Sequence, residues 1–161
     1  KNLQDIDLKQ YDAVVISDYN KGFLLEEDIQ YLGENHPLVF VDTKKLLGTW
    51  CKDCDFIKIN DYEYENTKHL LVDCGQWIDN KLIVTRGSKG CTYKQKIYPV
   101  EKVEIRDLCG AGDTFLSGLV AEYVSTRDLN NAIIFANQCA TEVVQNRGVG
   151  LPNQFKGRYK K

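Results

Sequence analysis

The chain has 161 residues, 27% of them charged, and a formal net charge of -2 at pH 7. That length predicts one domain with a substantial hydrophobic core. The nearly balanced charge argues against nucleic acid or an anionic membrane as a partner. No apolar run approaches the ~18 residues of a membrane span, and the first residues lack the apolar segment of a signal peptide, so we expect a soluble, cytoplasmic protein.

Six cysteines are present, and because the chain is neither small nor similar to a secreted protein, free thiols are favoured over a disulfide framework. Cys51 and Cys54 could begin a zinc site with His69 and Cys74, but this spacing matches no standard zinc pattern. Methionine is absent even at position 1. We therefore expect that the start of a longer chain is missing.

The first half of the chain alternates short apolar runs, rich in β-branched residues, with helical segments. Strands are predicted at residues 13–17, 38–41, 56–59 and 82–85, and helices over residues 26–34, after Asn60 and over residues 69–78. Continuous apolar runs of this length are typical of strands buried on both faces. Strand, helix and strand in this order indicate a parallel sheet.

The second half begins with a turn at residues 86–90. Edge strands are predicted at residues 91–93, 97–100 and 103–105, and two long amphipathic helices follow, the second with Asp128 as its N-cap. The whole pattern predicts an α/β fold with a doubly wound, mostly parallel sheet and helices on both faces. Sheets of this kind bind ligands outside the carboxyl ends of their strands.

A short stretch around Gly110 and Gly112 joins a predicted strand to an amphipathic helix. Glycines let the backbone turn tightly, and the start of a helix offers free N–H groups and a positive dipole end, so the stretch predicts an anion hole. Asp113 would repel a phosphate, and its presence suggests a base that faces a hydroxyl group. The alternative is that Asp113 only caps the helix.

The string from Asp107 to Phe115 resembles the D-x-x-G-A-G-D-T-F signature of the ribokinase-like (PfkB) carbohydrate kinases. A dinucleotide motif would need glycine at Phe115, and no Walker A motif occurs. The resemblance implies that ATP phosphorylates a hydroxyl of a sugar or sugar phosphate, with Asp113 as the base. The turn formed by Gly110, Ala111, Gly112 and Asp113 would be the anion hole.

Three further segments extend this resemblance to the nucleotide side. Asn60 and Glu63 match the family's N-x-x-E motif, which organises Mg²⁺ mainly through water, although the same pair would form a helix capping box. The segment from Thr85 to Gly90 resembles the T-x-G-x-x-G turn along the triphosphate; a plain hairpin turn is the alternative. The implied nucleotide-binding residues are Asn60, Glu63, Thr85, Gly87, Gly90 and Asn137, the last on a helix that would wall the adenine pocket or simply pack in the core.

Within the family, the segments S-D-Y-N-K-G, V-D-T-K and V-T-R look most like bacterial heptose 7-phosphate kinases. Thr43 stands where proline is usual, and Cys109 where threonine or serine is common. The implied substrate-binding residues are Asp18, Lys21, Asp42 and Lys44, although Lys44 could equally be a surface lysine.

The resemblance covers residues 1–155 as a partial kinase domain, followed by a basic tail at residues 156–161. It implies that the N-terminal strands, the sugar-contacting residues on them and the β lid are lacking. We expect the anion hole to face a cleft lined by Asn60, Glu63, Thr85, Gly87 and Asn137. We also expect this chain to bind ATP or ADP with Mg²⁺ but to phosphorylate no sugar at a useful rate.

A second interpretation is a non-catalytic nucleotide-binding or assembly module derived from a sugar kinase. A dinucleotide oxidoreductase is disfavoured because its glycine motif is absent. The identity of the sugar, a homodimeric state and an attached adenylyltransferase domain stay open.

Overall fold

The computed structural model describes residues 3–148 and 150–155, so the predicted basic tail lies outside the described residues. The chain divides into two compact units. The first unit comprises Lys1–Thr85 and Thr92–Lys96, and the second comprises Arg86–Cys91 and Ile97–Lys161. The boundary of a single domain at residue 155 stays a prediction.

Six strands form one sheet in the order β1-β2-β3-β4-β5-β6. They are β1 Val14–Asp18, β2 Val39–Thr43, β3 Phe56–Asn60, β4 Leu82–Thr85, β5 Cys91–Tyr93 and β6 Lys96–Tyr98. Neighbours from β1 to β4 pair in parallel. Lys94 and Gln95, both with positive φ, join β5 to β6, as in the two-residue turns that connect antiparallel strands. The predicted α/β, mostly parallel fold class is confirmed.

Five α-helices accompany the sheet in the described residues. They are α1 Glu26–Asn35, α2 Asp61–Thr67, α3 Leu71–Cys74, α4 Ala111–Thr126 and α5 Leu129–Val143. Short 3₁₀ turns lie at Leu3–Asp5, Leu8–Gln10, Thr49–Cys51, Gly75–Asn80, Gly87–Lys89 and Asn153–Phe155. No described helix is long and apolar enough to cross a membrane.

Two sequence-based predictions of elements were wrong. The single helix over residues 69–78 is instead α3 followed by a 3₁₀ turn, because Gly75 adopts a positive φ of 68° directly after α3. Residues 103–105 form no strand. The backbone just beyond them pairs with a helix end and not with a strand: the N–H groups of Arg106 and Asp107 both donate to Val144 O at the end of α5.

The core of the first unit lies on one face of its parallel strands. Ile16, Val41 and Ile57 lie side by side in the register and are all buried. Because successive parallel strands follow one direction across the sheet, right-handed crossovers place α1 and α2 on the same face. Ile29 of α1 is fully buried in this cluster.

In the second unit, α4 and α5 pack closely along their length. Gly118 permits the approach, since a Cβ atom there would lie 3.1 Å from Ala136 Cα on the neighbouring helix. Small residues at such a crossing let two helix backbones come together.

All six cysteines are free thiols. Burial raises the pKa of Cys51 and of Cys54 to about 12, so both thiols stay protonated at neutral pH. The Cys51 thiol donates a hydrogen bond to Gly48 O at 3.0 Å. Within residues 3–148 and 150–155, no group of three His, Cys, Asp or Glu side chains is placed to hold a metal ion.

A buried hydrogen bond ties the loop after β2 to α2, and it gives a test of the first unit. Thr67 Oγ1 accepts from Leu47 N at 2.7 Å, and both residues are about 1% exposed. Thr67→Val keeps the shape of the side chain but leaves the buried Leu47 N–H without an acceptor. We therefore expect a loss of ~1–3 kcal/mol in the free energy of unfolding. Chemical denaturation would measure it. Thr67→Ser keeps the hydroxyl and should lose clearly less; equal losses would contradict the role of the bond.

Candidate active site

The register of the first unit sorts the polar residues at its carboxyl edge onto two faces. Asp42 lies beside Lys58, and Asn60 lies beside Thr85. Residues two apart on a strand share a face, so Lys58 and Asn60 share one, and all four side chains belong to the same face. Three predicted site residues, Asp42, Asn60 and Thr85, are therefore brought together at the carboxyl ends of neighbouring strands.

Asn60 and Glu63 form a complete capping box at the start of α2. Glu63 N donates to Asn60 Oδ1 at 2.9 Å, and Asn60 N donates to Glu63 Oε2 at 2.7 Å. The helix-cap interpretation is thus realised, yet each side chain keeps further acceptor capacity. Mg²⁺ retains several waters and needs only one or two protein oxygens, so this oxygen pair fits a hydrated Mg²⁺.

A buried ion pair beside these residues was missed from the sequence. Lys58 Nζ donates to Asp42 Oδ2 at 2.7 Å, and Lys58 is only 4% exposed. The available signal was a lysine in the middle of the apolar run of β3, where a charged side chain is costly unless it has a partner.

Asp18 belongs to a different network, on the opposite face of the strand ends. It lies beside Thr43 in the register, and Thr43 and Asp42 are consecutive on β2, so their side chains point to opposite faces. Asp18 is 6% exposed; its Oδ2 accepts from Thr43 Oγ1 at 2.9 Å and its Oδ1 accepts from Asn20 N at 3.0 Å. The threonine that replaces the usual proline therefore supplies a hydroxyl that Asp18 uses.

The lysine that reaches Asp18 is Lys45, which the sequence analysis did not single out. Lys45 Nζ lies 3.4 Å from Asp18 Oδ2 and donates to Asn20 Oδ1 at 3.0 Å. Lys44 is exposed and its ammonium sits 4.4 Å from the centre of the Tyr19 ring. Lys21 is exposed as well. The four predicted substrate-binding residues thus do not form one cluster in the first unit.

In the second unit, the predicted triphosphate turn is a tight 3₁₀ turn. Arg86 N donates to Gly90 O at 2.7 Å, and Gly90 N donates to Gly87 O at 3.0 Å. Gly87 has a φ of 54° and Gly90 a φ of 84°, values that side chains disfavour. A Cβ atom on Gly90 would also lie 2.0 Å from Tyr98 O. Gly90 is therefore required by the backbone, whatever it binds.

Asn137 is buried in α5 and its amide nitrogen is used inside the second unit. Nδ2 donates to Tyr98 O at 3.0 Å and contacts Cys91 Sγ at 3.7 Å. These contacts join α5 to the ends of β5 and β6. These hydrogen bonds explain why a polar residue lies in the otherwise apolar stripe of α5. The role of Asn137 in an adenine pocket stays a prediction.

The glycine-rich stretch is a left-handed turn into a helix. Gly110 is the N-cap of α4 with φ 75° and ψ 0°, and the helix begins at Ala111. Asp113 is therefore the third helical residue and is exposed, so it is not the N-cap residue of this helix. The first-turn N–H groups of a helix lack partners within the helix, which suits an anion, but in α4 the first of them, Ala111 N, already donates to Leu108 O at 3.3 Å.

Asp107 fixes the chain just before this turn. Its Oδ1 accepts from Cys109 N and its Oδ2 from Gly148 N, both at 2.9 Å. These backbone hydrogen bonds hold the pKa of Asp107 below its usual value. Its hydrogen bond and its negative charge in turn raise the pKa of the Cys109 thiol.

Comparison with known proteins places the chain in a family. A model described as pfkB family carbohydrate kinase matches residues 1–156. The chain belongs to the pfkB family of carbohydrate kinases. The predicted ribokinase-like resemblance is thereby confirmed.

Two curated relatives of this pfkB chain carry the name Bifunctional protein HldE. One, from Helicobacter pylori strain G27, is 28% identical over 94% of this chain and 38% of its own length. The other, from a Nitratiruptor species, is 31% identical over 91% of this chain and 35% of its own length. The pfkB chain thus spans well under half the length of these relatives.

Solved structures agree with the fold of this pfkB chain. The Methanocaldococcus jannaschii nucleoside kinase, an archaeal member of the ribokinase family, matches 88% of this chain and 52% of its own with a TM-score of 0.66 and 25% identity. A Thermotoga maritima ribokinase matches 95% of this chain and 59% of its own with a TM-score of 0.73 and 17% identity. The second likeness concerns the fold alone.

The two glycines of the turn at residues 86–90 give a test with a matched pair. Gly90→Ala combines a positive φ with a clash against Tyr98 O, so we expect it to destabilise the chain by more than ~2 kcal/mol. Gly87→Ala meets nothing within 4 Å and carries only the backbone strain, ~1 kcal/mol. Denaturant unfolding would compare the stabilities of the two variants. Equal losses of stability would contradict the prediction, because the clash with Tyr98 O would then add nothing to the backbone strain.

Proposed function

We propose that this chain is the nucleotide-binding part of a kinase that transfers the γ-phosphoryl group of ATP to a hydroxyl of a sugar or sugar phosphate. The observation that carries the proposal is the left-handed Gly110 that starts α4, with the Asp113 carboxylate in the first turn. Backbone N–H groups there suit a phosphate, whereas a carboxylate beside them suits a hydroxyl that must lose its proton.

Each group has a role that follows from its chemistry. The backbone N–H groups around Gly112 and Asp113 stabilise negative charge on the transferred phosphoryl group, while the Ala111 N–H donates to Leu108 O. Asp113 accepts the proton of the attacking hydroxyl; because phosphoryl transfer is largely dissociative, this proton need not leave early in the reaction. Asn60 and Glu63 would hold hydrated Mg²⁺, which neutralises charge on the nucleotide phosphates when it is bound.

We further propose a heptose 7-phosphate as the acceptor. The support is the resemblance of the segments around Asp18, Asp42 and Thr85 to heptose 7-phosphate kinases. Two relatives of this chain carry the name Bifunctional protein HldE, and this similarity also supports the proposal. The Asp42 carboxylate is partly exposed, whereas Asp18 is enclosed by Thr43 and Lys45. Of these two aspartates, Asp42 is therefore better placed to accept a hydrogen bond from a sugar hydroxyl.

A non-catalytic nucleotide-binding or assembly module remains the second candidate. Its support is that the side chains of Asn60, Glu63 and Asn137 all make structural hydrogen bonds within their own units. Asp113 argues against it, since a pure anion binder gains nothing from a carboxylate in the first turn of α4.

The first prediction concerns this 161-residue chain alone. We expect it to bind ADP with Mg²⁺ in calorimetric titration and to produce no sugar-dependent ADP in a coupled assay with heptose or hexose phosphates. Without an acceptor held in line, the proximity contribution of ~7–11 kcal/mol is largely lost. Robust sugar-dependent turnover by this chain would contradict the prediction and show that it holds the acceptor itself.

The second prediction concerns Asp113 in a preparation that shows sugar-dependent turnover. Asp113→Asn should lower kcat by ~10²-fold or more and leave nucleotide affinity within about twofold, because a positioned base acts in the transition state. The matched control is Asp128→Asn, which alters the aspartate that caps α5 through Asn131 N. A similar kcat for both variants would contradict the role of Asp113 as the base.

A further inference from the structure

β1 is an edge strand of the sheet. It comes first in the strand order, and across the described residues its strand partner is β2. Val14 N donates to Leu38 O at 2.9 Å where their parallel ladder begins, and Lys44 N donates to Asp18 O at 3.0 Å where it ends. In such a ladder every second residue of a strand bonds to a given neighbour. The backbone groups of Val14, Ile16 and Asp18 therefore face β2.

The alternate residues of β1 face away from β2. The Val15 and Ser17 N–H groups and the Ala13 and Val15 carbonyls are directed to the outer side of the strand. Water can bond to these groups in a monomer, so folding needs no partner here. The outer side nevertheless has the geometry to receive another strand, which is how some proteins extend a sheet onto a partner.

The composition of β1 lacks the features that keep an edge strand from pairing. Edge strands are commonly blunted by a short length, by lysine, by proline or by a bulge. β6, at the other edge, has three residues and includes Lys96. β1 has five residues without lysine or proline, and its Val15 is 47% exposed. Asp18 ends the strand, and Lys45 lies 3.4 Å from its carboxylate and offsets its charge.

A second copy of the chain matches this edge because the outward-facing residues are symmetric about Val15. In an antiparallel pair related by a two-fold axis at Val15, each Val15 exchanges both backbone hydrogen bonds with Val15 of the other copy. Ser17 then lies opposite Ala13, and the Ser17 N–H donates to the Ala13 carbonyl in both directions. Residues 13–17 carry no charge, so this stretch brings no like charges together.

We propose that two copies of the chain associate through antiparallel pairing of their β1 strands. The parallel strands β1 to β4 of the two first units then form one continuous sheet. This association does not depend on the proposed kinase function. One strand pair buries less surface than the ~1,200–2,000 Å² of a standard interface, so the dimer is weak, with a Kd on the order of 100 µM.

Disulfide trapping tests the register. In a Cys109→Ser background, which lacks the exposed native thiol, Val15→Cys places two thiols opposite each other with Cα atoms ~5.5 Å apart, within disulfide reach. Glutathione disulfide takes up the two hydrogen atoms and is reduced to two glutathione molecules. The matched control is Ser17→Cys, whose two copies lie roughly 14 Å apart in this register. We expect a covalent dimer from Val15→Cys and little from Ser17→Cys; equal yields would overturn the proposed pairing.

The wild type is tested by sedimentation and amide exchange. We expect the mean mass to rise towards that of a dimer between about 10 µM and 1 mM, in line with the weak affinity. Exchange of the Val15 and Ser17 N–H groups should slow over the same range, whereas the Ile16 N–H, which faces β2, should be protected throughout. A chain that stays monomeric at about 1 mM would overturn the inference.

A variant at the two-fold axis separates this surface from any other. Val15→Pro removes an N–H group that the ladder with β2 does not use, so we expect a folded monomer by circular dichroism and sedimentation. If Val15→Pro does not fold, Val15→Lys serves in its place, because it sets two like charges opposite each other. Val15→Thr is the control and should associate like the wild type. A folded Val15→Pro or Val15→Lys chain that dimerises as strongly as the wild type would overturn the inference.

Discussion

The alternation of side chains at the end of β2 determines how the polar groups of the first unit are arranged. Asp42 and Thr43 are consecutive, so the pleat sends one to each face of the sheet. Asp42 meets Lys58 on one face, and Thr43 meets Asp18 on the other. A shift of one residue in the register would exchange the faces and break both contacts, so these contacts and the strand register support each other.

The two resulting networks differ in how completely their charges are satisfied. The Asp18 carboxylate receives a hydroxyl, a backbone N–H and the Lys45 ammonium, and it is nearly enclosed. Full satisfaction of this kind rigidifies a loop and leaves little for a ligand to gain. The Lys58 ammonium has a single carboxylate partner.

Sequence patterns predicted the strands β1 to β4, the helices α1, α4 and α5, and the short motifs of the candidate site because all of these signals are local. They failed at residues 69–78, where the left-handed conformation of Gly75 interrupts a helix that the apolar pattern alone continues. They also failed at residues 103–105, because the neighbouring chain bonds to Val144, which is distant in sequence. Lys58 was overlooked for the same reason, since its partner is 16 residues away on another strand. Long-range hydrogen bonds of this kind leave no periodic trace.

The left-handed glycine turn before α4 explains how the proposed phosphate site would be built mainly from backbone groups. Gly110 adopts a φ of 75° and α4 begins at Ala111, whose N–H donates to Leu108 O at 3.3 Å; the positive end of the helix dipole favours an anion at this end without a cation. Backbone groups held by a helix cannot be lost by substitution of a side chain, although they can be lost if the turn changes. Asp107 supports the turn, because its carboxylate accepts from Cys109 N just before the turn and from Gly148 N in a segment that is distant in sequence. The support of this turn that comes from Asp107 is independent of Asp113, the residue proposed above as the base.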